Sequence, residues 1–291
     1  LAPRYLEHQL AVSLKNLRVE TIDCYYLHNP EQQLDEIPRE AFLSRMEACF
    51  QFLESQVAAG RIRLYGTATW NGYRVNAQHH GYLSLQEFVG LARRVGGESH
   101  HFRVIQLPFN LAMPEAYAFK NQAVDGQMLS VGEAAARLGM SVVVSASLLQ
   151  SQLTTLPHAM RQWIPGLDTD AQRAIQFARS TPGVTTALTG MKRTAHVEDN
   201  LRLARLPALT ADAIECEDRF AMLVDDVRSA WQRAEKVQRR RRELAASGTS
   251  SAALLLTTDD ELLFQLEASH DESLERLVSL HRGIELRSQR V

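Results

Sequence analysis

The stretch "TIDCYYLHNP", residues 21–30, is an apolar, β-branched and aromatic run that stops at His28, Asn29 and Pro30. A neutral imidazole offers an N–H donor on one nitrogen and an acceptor on the other. A histidine closing a strand that reads as buried is therefore suited to orient a polarised oxygen or to move a proton. Trp70 comes shortly after a second apolar run, Ile62 to Ala68, where an indole would suit an apolar substrate wall. Other groupings promise less. His79 with His80, and His100 with His101, are adjacent pairs whose side chains point opposite ways on an extended chain, so no metal site is expected from them. Cys24, Cys49 and Cys216 are scattered and lack CxxC spacing, which reads as packed thiols and not as a disulfide framework.

The elements that must hold these groups alternate in period. Strand candidates are Thr21 to Leu27, Ile62 to Ala68, Arg103 to Leu107, Ser141 to Ser147 and Val184 to Thr189. All are short and mostly apolar, as strands covered on both faces must be. Helical patterns lie between them: Arg39 to Ala59 closed by Gly60, Leu85 to Val95 closed by Gly96 and Gly97, and Ser130 to Leu138 closed by Gly139. A further helix begins at Asp168 or Thr169 and runs to Pro182, and a last one follows Thr194. Consecutive βα units of this kind build an α/β fold on a parallel sheet, either an open doubly wound sheet or a closed (β/α)8 TIM barrel. The dinucleotide turn GxGxxG of the open sheet is absent, so a barrel is preferred, here a partial barrel of about five βα units with three missing from the front. The chain opens at Leu1, without methionine, and runs almost directly into a helix, as an excised fragment would.

The remaining sequence bounds the function. With 291 residues, 45% hydrophobic and 23% charged, and a net charge of −2, the chain reads as a soluble protein with one large domain and an appendage. Neither nucleic acid nor membrane is expected as partner, and a cytoplasmic setting is the default. The barrel portion spans 1–206. Residues 207–246 read as a C-terminal helical extension, 247–256 as a linker and 257–291 as a C-terminal amphipathic helix. These C-terminal helices could serve as a surface for a protein partner. The run Arg239 to Arg242 reads as a solvated helix end.

Four segments in order resemble the aldo-keto reductase family: "SLKNLRVETIDCYYLHNPE", "AAGRIRLYGTATWN", "VIQLPFNL" and "AIQFARSTPGVTTALTGMKRTAHVEDNL". The likeness extends over roughly Leu1 to Leu206. It implies NADPH-dependent reduction of an aldehyde or ketone, or the reverse, with small-molecule carbonyl substrates. In that chemistry a histidine positions the carbonyl while a tyrosine, tuned by a lysine and an aspartate, donates the proton. His28 matches the histidine. Gln106 matches the residue that hydrogen-bonds the nicotinamide carboxamide, and its amide has the donor and acceptor for that task. Asp199 and Asn200 align with the polar pair at the adenine end. Gly190, Lys192 and the helix near Thr194 fall at the phosphate site, where free amides and the helix dipole favour an anion.

Departures from the family pattern are equally specific. Ala68 and Thr69 replace the Ser-Asn pair that gives a second carboxamide contact. Ser145 stands where a tyrosine commonly stacks on the nicotinamide, and His196 where an arginine grips the 2′-phosphate, so NADP is expected with NAD possible. The tyrosine, lysine and aspartate belong upstream of Leu1, and Tyr25, Tyr26 and Lys15 do not replace them. Two functions follow: an oxidoreductase whose catalytic set is incomplete in this chain, or a catalytically silent nicotinamide-binding interaction module on the same barrel.

Overall fold

A computed structural model describes residues 1–156 and 159–210. The expected linker, the amphipathic helix 257–291, the arginine run and nearly all of the extension 207–246 lie outside the described residues.

The chain begins with helix α1 (Pro3–Leu17), followed by strand β1 (Ile22–His28), α2 (Arg39–Ala58), β2 (Ile62–Ala68), α3 (Leu85–Gly96) and β3 (Phe102–Pro108). After β3 come a short helix α4 (Glu115–Ala118), the strands β4 (Gln122–Val124) and β5 (Gln127–Leu129), α5 (Val131–Arg137) and β6 (Ser141–Ser145). The last elements are α6 (Ala159–Trp163), α7 (Asp170–Ser180), β7 (Thr186–Ala187) and α8 (Thr194–Leu203). Five strands pair in parallel in the order β1-β2-β3-β6-β7. Each crossover returns to the next neighbour and the order never reverses. The sheet is therefore a segment of a barrel wall and not a doubly wound sheet, which would show a switch point. It is not closed: β1 and β7 each keep one unpaired edge among the described residues.

Local signals account for the helix limits. Ser130 caps α5 and Thr169 caps α7, each in a reciprocal capping box with Glu133 or Gln172. Gly60 and Gly139 follow α2 and α5 in the left-handed conformation that ends a helix, with φ of 71° and 68°. The β4–β5 hairpin was not expected. It turns on Asp125 and Gly126, both at positive φ, the pairing that favours a tight hairpin. β7 is shorter than the expected Val184 to Thr189: beyond Thr186–Ala187 the Thr185 N–H reaches the Val142 carbonyl, the Leu188 N–H reaches that of Val144, and the Val142 N–H is taken by the Thr185 side chain, Oγ1, instead of a β7 carbonyl.

The two faces of the sheet differ. Leu27, Tyr65, Thr67, Ile105, Leu107, Val142 and Val144 face the helices and are fully buried. Phe50, Phe88, Phe102 and Tyr65 form an aromatic cluster between that face and helices α2 and α3. The opposite face carries Tyr26, Gln106, Val143 and Ser145, all half-buried, and His28, exposed. A bulge separates the faces correctly. Tyr65 pairs with Phe102 but the next residue, Gly66, pairs with Val104, so Arg103 is an extra residue that turns Phe102 and Val104 to opposite sides. Gly66 is required there, since a Cβ would lie 2.0 Å from the Val104 carbonyl oxygen.

Candidate active site

Strand register places the candidate residues. His28 pairs with Ala68, Ala68 with Gln106, and Gln106 with Val143. His28 and Gln106 thus share one row on the less-covered face, two strands apart, which is roughly 10 Å. Ser145 lies on the same face one step further along, paired with Pro108. All three sit at the carboxyl ends of the strands, where a parallel barrel keeps its chemistry.

The chain leaves β1 abruptly at this point. Asn29 adopts the left-handed conformation (φ 44°, ψ 53°), which asparagine tolerates better than most residues, and Pro30 opens a short 3₁₀ turn. Asn29 donates its N–H to the Ala68 carbonyl at 2.6 Å and accepts the Trp70 N–H on Oδ1 at 3.0 Å. Trp70 is held at this mouth with 44% of its surface exposed. Behind it, Thr69 donates its hydroxyl to the buried Glu31 carboxylate and accepts the Gly72 N–H at 2.7 Å. Thr69 Oγ is therefore engaged on both sides, in the place where the family pattern has a carboxamide ligand.

Gln106 is bound through its backbone, accepting the Thr69 N–H at 2.9 Å, while its side-chain amide has no hydrogen bond among the described residues. Tyr26 shares the His28 face, and its ring lies 3.3 Å from where a Gly66 Cβ would stand. Its phenol, pushed up chiefly by burial and also by Cys24 beside it, keeps its proton. The cluster at α8 divides. Gly190 is open, Lys192 and His196 are exposed, and α8 starts after Arg193 without a side-chain cap, which leaves its first amides free. Asn200 is half-buried on the same helix. Asp199 is already occupied: Oδ1 accepts from Gln172 Nε2 at 2.8 Å and Oδ2 from Thr169 Oγ1 at 3.2 Å, tying α8 to the start of α7.

Three groups escaped the sequence reading, two beside these residues and one at the opposite end of the sheet. Arg74, with only 9% of its side chain exposed, donates to the Trp70 carbonyl at 3.0 Å and pairs with Glu115 at 2.9 Å. Glu31 is buried beneath Thr69. Glu54 accepts from Tyr65 Oη at 3.0 Å and from the His101 N–H at 2.7 Å, at the amino end of the sheet. No local pattern announces most of these partners, because Arg74–Glu115, Glu31–Thr69 and the Glu54 contacts join residues from different loops or elements. Of the adjacent histidines, His101 turns to Glu54 and His100 is buried, whereas His79 and His80 do not diverge as expected: they lie on a turn and not on an extended chain, with their ring centroids 4.7 Å apart. No group of three potential metal ligands occurs among the described residues, and none of their helices is long and apolar enough to cross a membrane.

Residues 1–83 match the aldo/keto reductase family, a span that includes His28 and Trp70 but stops before Gln106. Among curated proteins nothing matches the sequence. Solved structures of similar fold include a holo-form aldo-keto reductase from Bacillus halodurans, 17% identical with a TM-score of 0.51, over 75% of this chain and 67% of that one. A thermostable aldo-keto reductase in complex with the inhibitor epalrestat is 18% identical with a TM-score of 0.52, over 76% and 67%. An aldo/keto reductase from Klebsiella pneumoniae in complex with NADP and acetate is 19% identical with a TM-score of 0.51, over 74% and 64%. This chain thus spans about two thirds of the length of each. The family resemblance and the α/β barrel-type fold are shown; identities this low carry the fold and not the activity.

Proposed function

We propose that this chain carries the nicotinamide-binding and substrate-orienting part of an aldo-keto reductase-type oxidoreductase that reduces an aldehyde or ketone with NAD(P)H. The observation that carries the reading is the row His28–Ala68–Gln106, which sets an exposed imidazole and an unengaged carboxamide on one face at the carboxyl ends of parallel strands. When bound, the nicotinamide supplies a hydride to the carbonyl carbon.

The residues present fit such a cofactor at both ends. The Gln106 amide is free to donate and accept, as a carboxamide requires. The uncapped start of α8, with Gly190 and Lys192 beside it, suits a phosphate. His196 is exposed near that end and could meet a 2′-phosphate, while Asn200 is left for the adenine end because Asp199 is occupied. Ser145 adjoins Gln106, and Trp70 walls the site beside His28. His28 orients the substrate oxygen by donating a hydrogen bond, which lowers the cost of the alkoxide as it forms. None of the matched positions supplies the tyrosine, lysine and aspartate, so the reading assigns this chain orientation and binding, and not proton donation.

A second reading is a silent cofactor-binding module. Titration calorimetry with NADPH and NADH separates the outcomes. Binding that weakens about fivefold in Gln106→Leu, the worth of one hydrogen bond, supports the cofactor site. Carbonyl-dependent NADPH oxidation on top of it supports the reductase, and binding without oxidation supports the module. No binding of either nucleotide refutes both.

A further inference from the structure

Trp70 is a large apolar side chain left substantially exposed on a peptide that is fixed at both ends. Its N–H is held by Asn29 Oδ1 at 3.0 Å and its carbonyl by Arg74 Nη1 at 3.0 Å. Neither holder is loose. Asn29 is itself tied to the Ala68 carbonyl, and the Arg74 guanidinium is buried and forked onto Glu115 at 2.9 and 3.3 Å. The Trp70 peptide therefore links the loops that follow β1, β2 and β3 at the end of the sheet that carries His28. Pure packing would have turned the indole into the core, where Phe50, Phe88, Phe102 and Tyr65 already lie; the hydrogen bonds hold its backbone at the mouth instead.

We propose that Asn29 and Arg74 are positioning residues, which preset Trp70 as the specificity-determining wall of the site. The inference rests on the carboxyl ends of the strands being the ligand site. Asn29 combines two properties that can be separated: tolerance of the left-handed backbone, and a side-chain acceptor for Trp70. Asn29→Gly keeps the first and removes the second, whereas Asn29→Asp keeps both. Arg74→Lys retains the charge but cannot hold the Trp70 carbonyl and Glu115 with one fork.

The test is fluorine NMR of the full chain labelled with fluorotryptophan. Its three tryptophans, Trp70, Trp163 and Trp231, are assigned by single replacement. Benzaldehyde is titrated as the apolar carbonyl probe, with and without NADP. In the unsubstituted chain the probe moves the Trp70 resonance alone. In Asn29→Gly and Arg74→Lys that resonance broadens and the probe binds about fivefold more weakly, the loss expected for one hydrogen bond. Asn29→Asp restores both, and NADP affinity stays within about twofold throughout, since no bond to Gln106 is lost. A Trp70 resonance indifferent to the probe, or an Asn29→Asp variant as impaired as Asn29→Gly, overturns the proposal. Absence of NADP binding, with the Trp70 response to the probe intact, overturns the cofactor reading instead.

Discussion

Replacing Gly66 by alanine adds one methyl group at the tightest point of the sheet. The new Cβ would stand 2.0 Å from the Val104 carbonyl oxygen, 2.8 Å from its carbon and 3.3 Å from Tyr26 Cε1. An ordinary carbon–oxygen contact is about 3.3 Å, so β2 and β3 must separate locally by about 1.3 Å. Both strands are paired on their other sides and cannot simply slide. Losing about two backbone hydrogen bonds at about 1 kcal/mol each, with about 1–3 kcal/mol of overpacking, gives a cost of about 3–5 kcal/mol. Urea unfolding followed by circular dichroism should show a midpoint lowered by more than about 1 M, taking a slope of about 2–3 kcal/mol/M. The disturbed pairs, Thr67 with Ile105 and Ala68 with Gln106, lie just before the candidate site, so NADPH binding should fall with stability. A Gly66→Ala chain within about 1 kcal/mol of the original, a shift typical of an unremarkable substitution, would refute the assigned bulge geometry.

Gly90→Ala is the matched control: it adds the same methyl in α3, where nothing lies within 4 Å, and should raise stability by about 0.5–1 kcal/mol in the same urea assay. Ser130→Ala removes the side-chain acceptor of the α5 capping box and should cost about 1 kcal/mol. Glu133 is held below the usual carboxylate range chiefly by the Ser130 N–H, so its contribution is present at neutral pH and fades as acid protonates it. In Glu133→Gln the acid-induced loss of stability should begin less steeply. His100 is buried with Nδ1 unpartnered among the described residues, and burial, followed by Arg103, lowers its pKa from 6.5. The unfolded chain then binds a proton that the folded one resists. Stability is full above about pH 6.5 and declines below it until the folded imidazole also protonates. His100→Leu should flatten that slope, and an unchanged pH profile would contradict the assignment.

Much of this architecture was legible in the residues. The runs that became β1, β2, β3 and β6 are apolar and bounded by turn residues, and Ser130 and Thr169 marked helix starts that the structure keeps. The β4–β5 hairpin was overlooked because three-residue strands are too short to show a period, although Asp125-Gly126 carried the turn signal. The placement of His28 at a strand end could be read, but its sharing a row with Gln106 could not, because the extra residue at Arg103 changes which side chains of β3 face which way. The holders of Trp70 were equally hidden. Asn29 acts from a different loop, which no sequence period links to Trp70, and Arg74, four residues on in Trp70's own loop, looks in sequence like any loop arginine until Glu115 is seen to hold it. Asp199, assigned to a ligand by resemblance, also joins two helices through its carboxylate, a structural role its sequence context did not announce.

The bulge at Arg103 also acts as a phase setter for everything downstream in β3. Up to it, alternate side chains follow one parity; past it, the parity is inverted, and Gln106 looks out only because one residue was inserted before it. Were Arg103 drawn into plain pairing with Gly66, every later residue of β3 would slip by one and the two sets would exchange, turning Ile105 and Leu107 outward and Gln106 into the hydrocarbon under α3. A one-residue slip in register would here trade the lining of a binding face for the contents of a core. Loss of the extra residue itself is therefore compatible with the same binding face, whereas straightening the bulge with Arg103 retained is not.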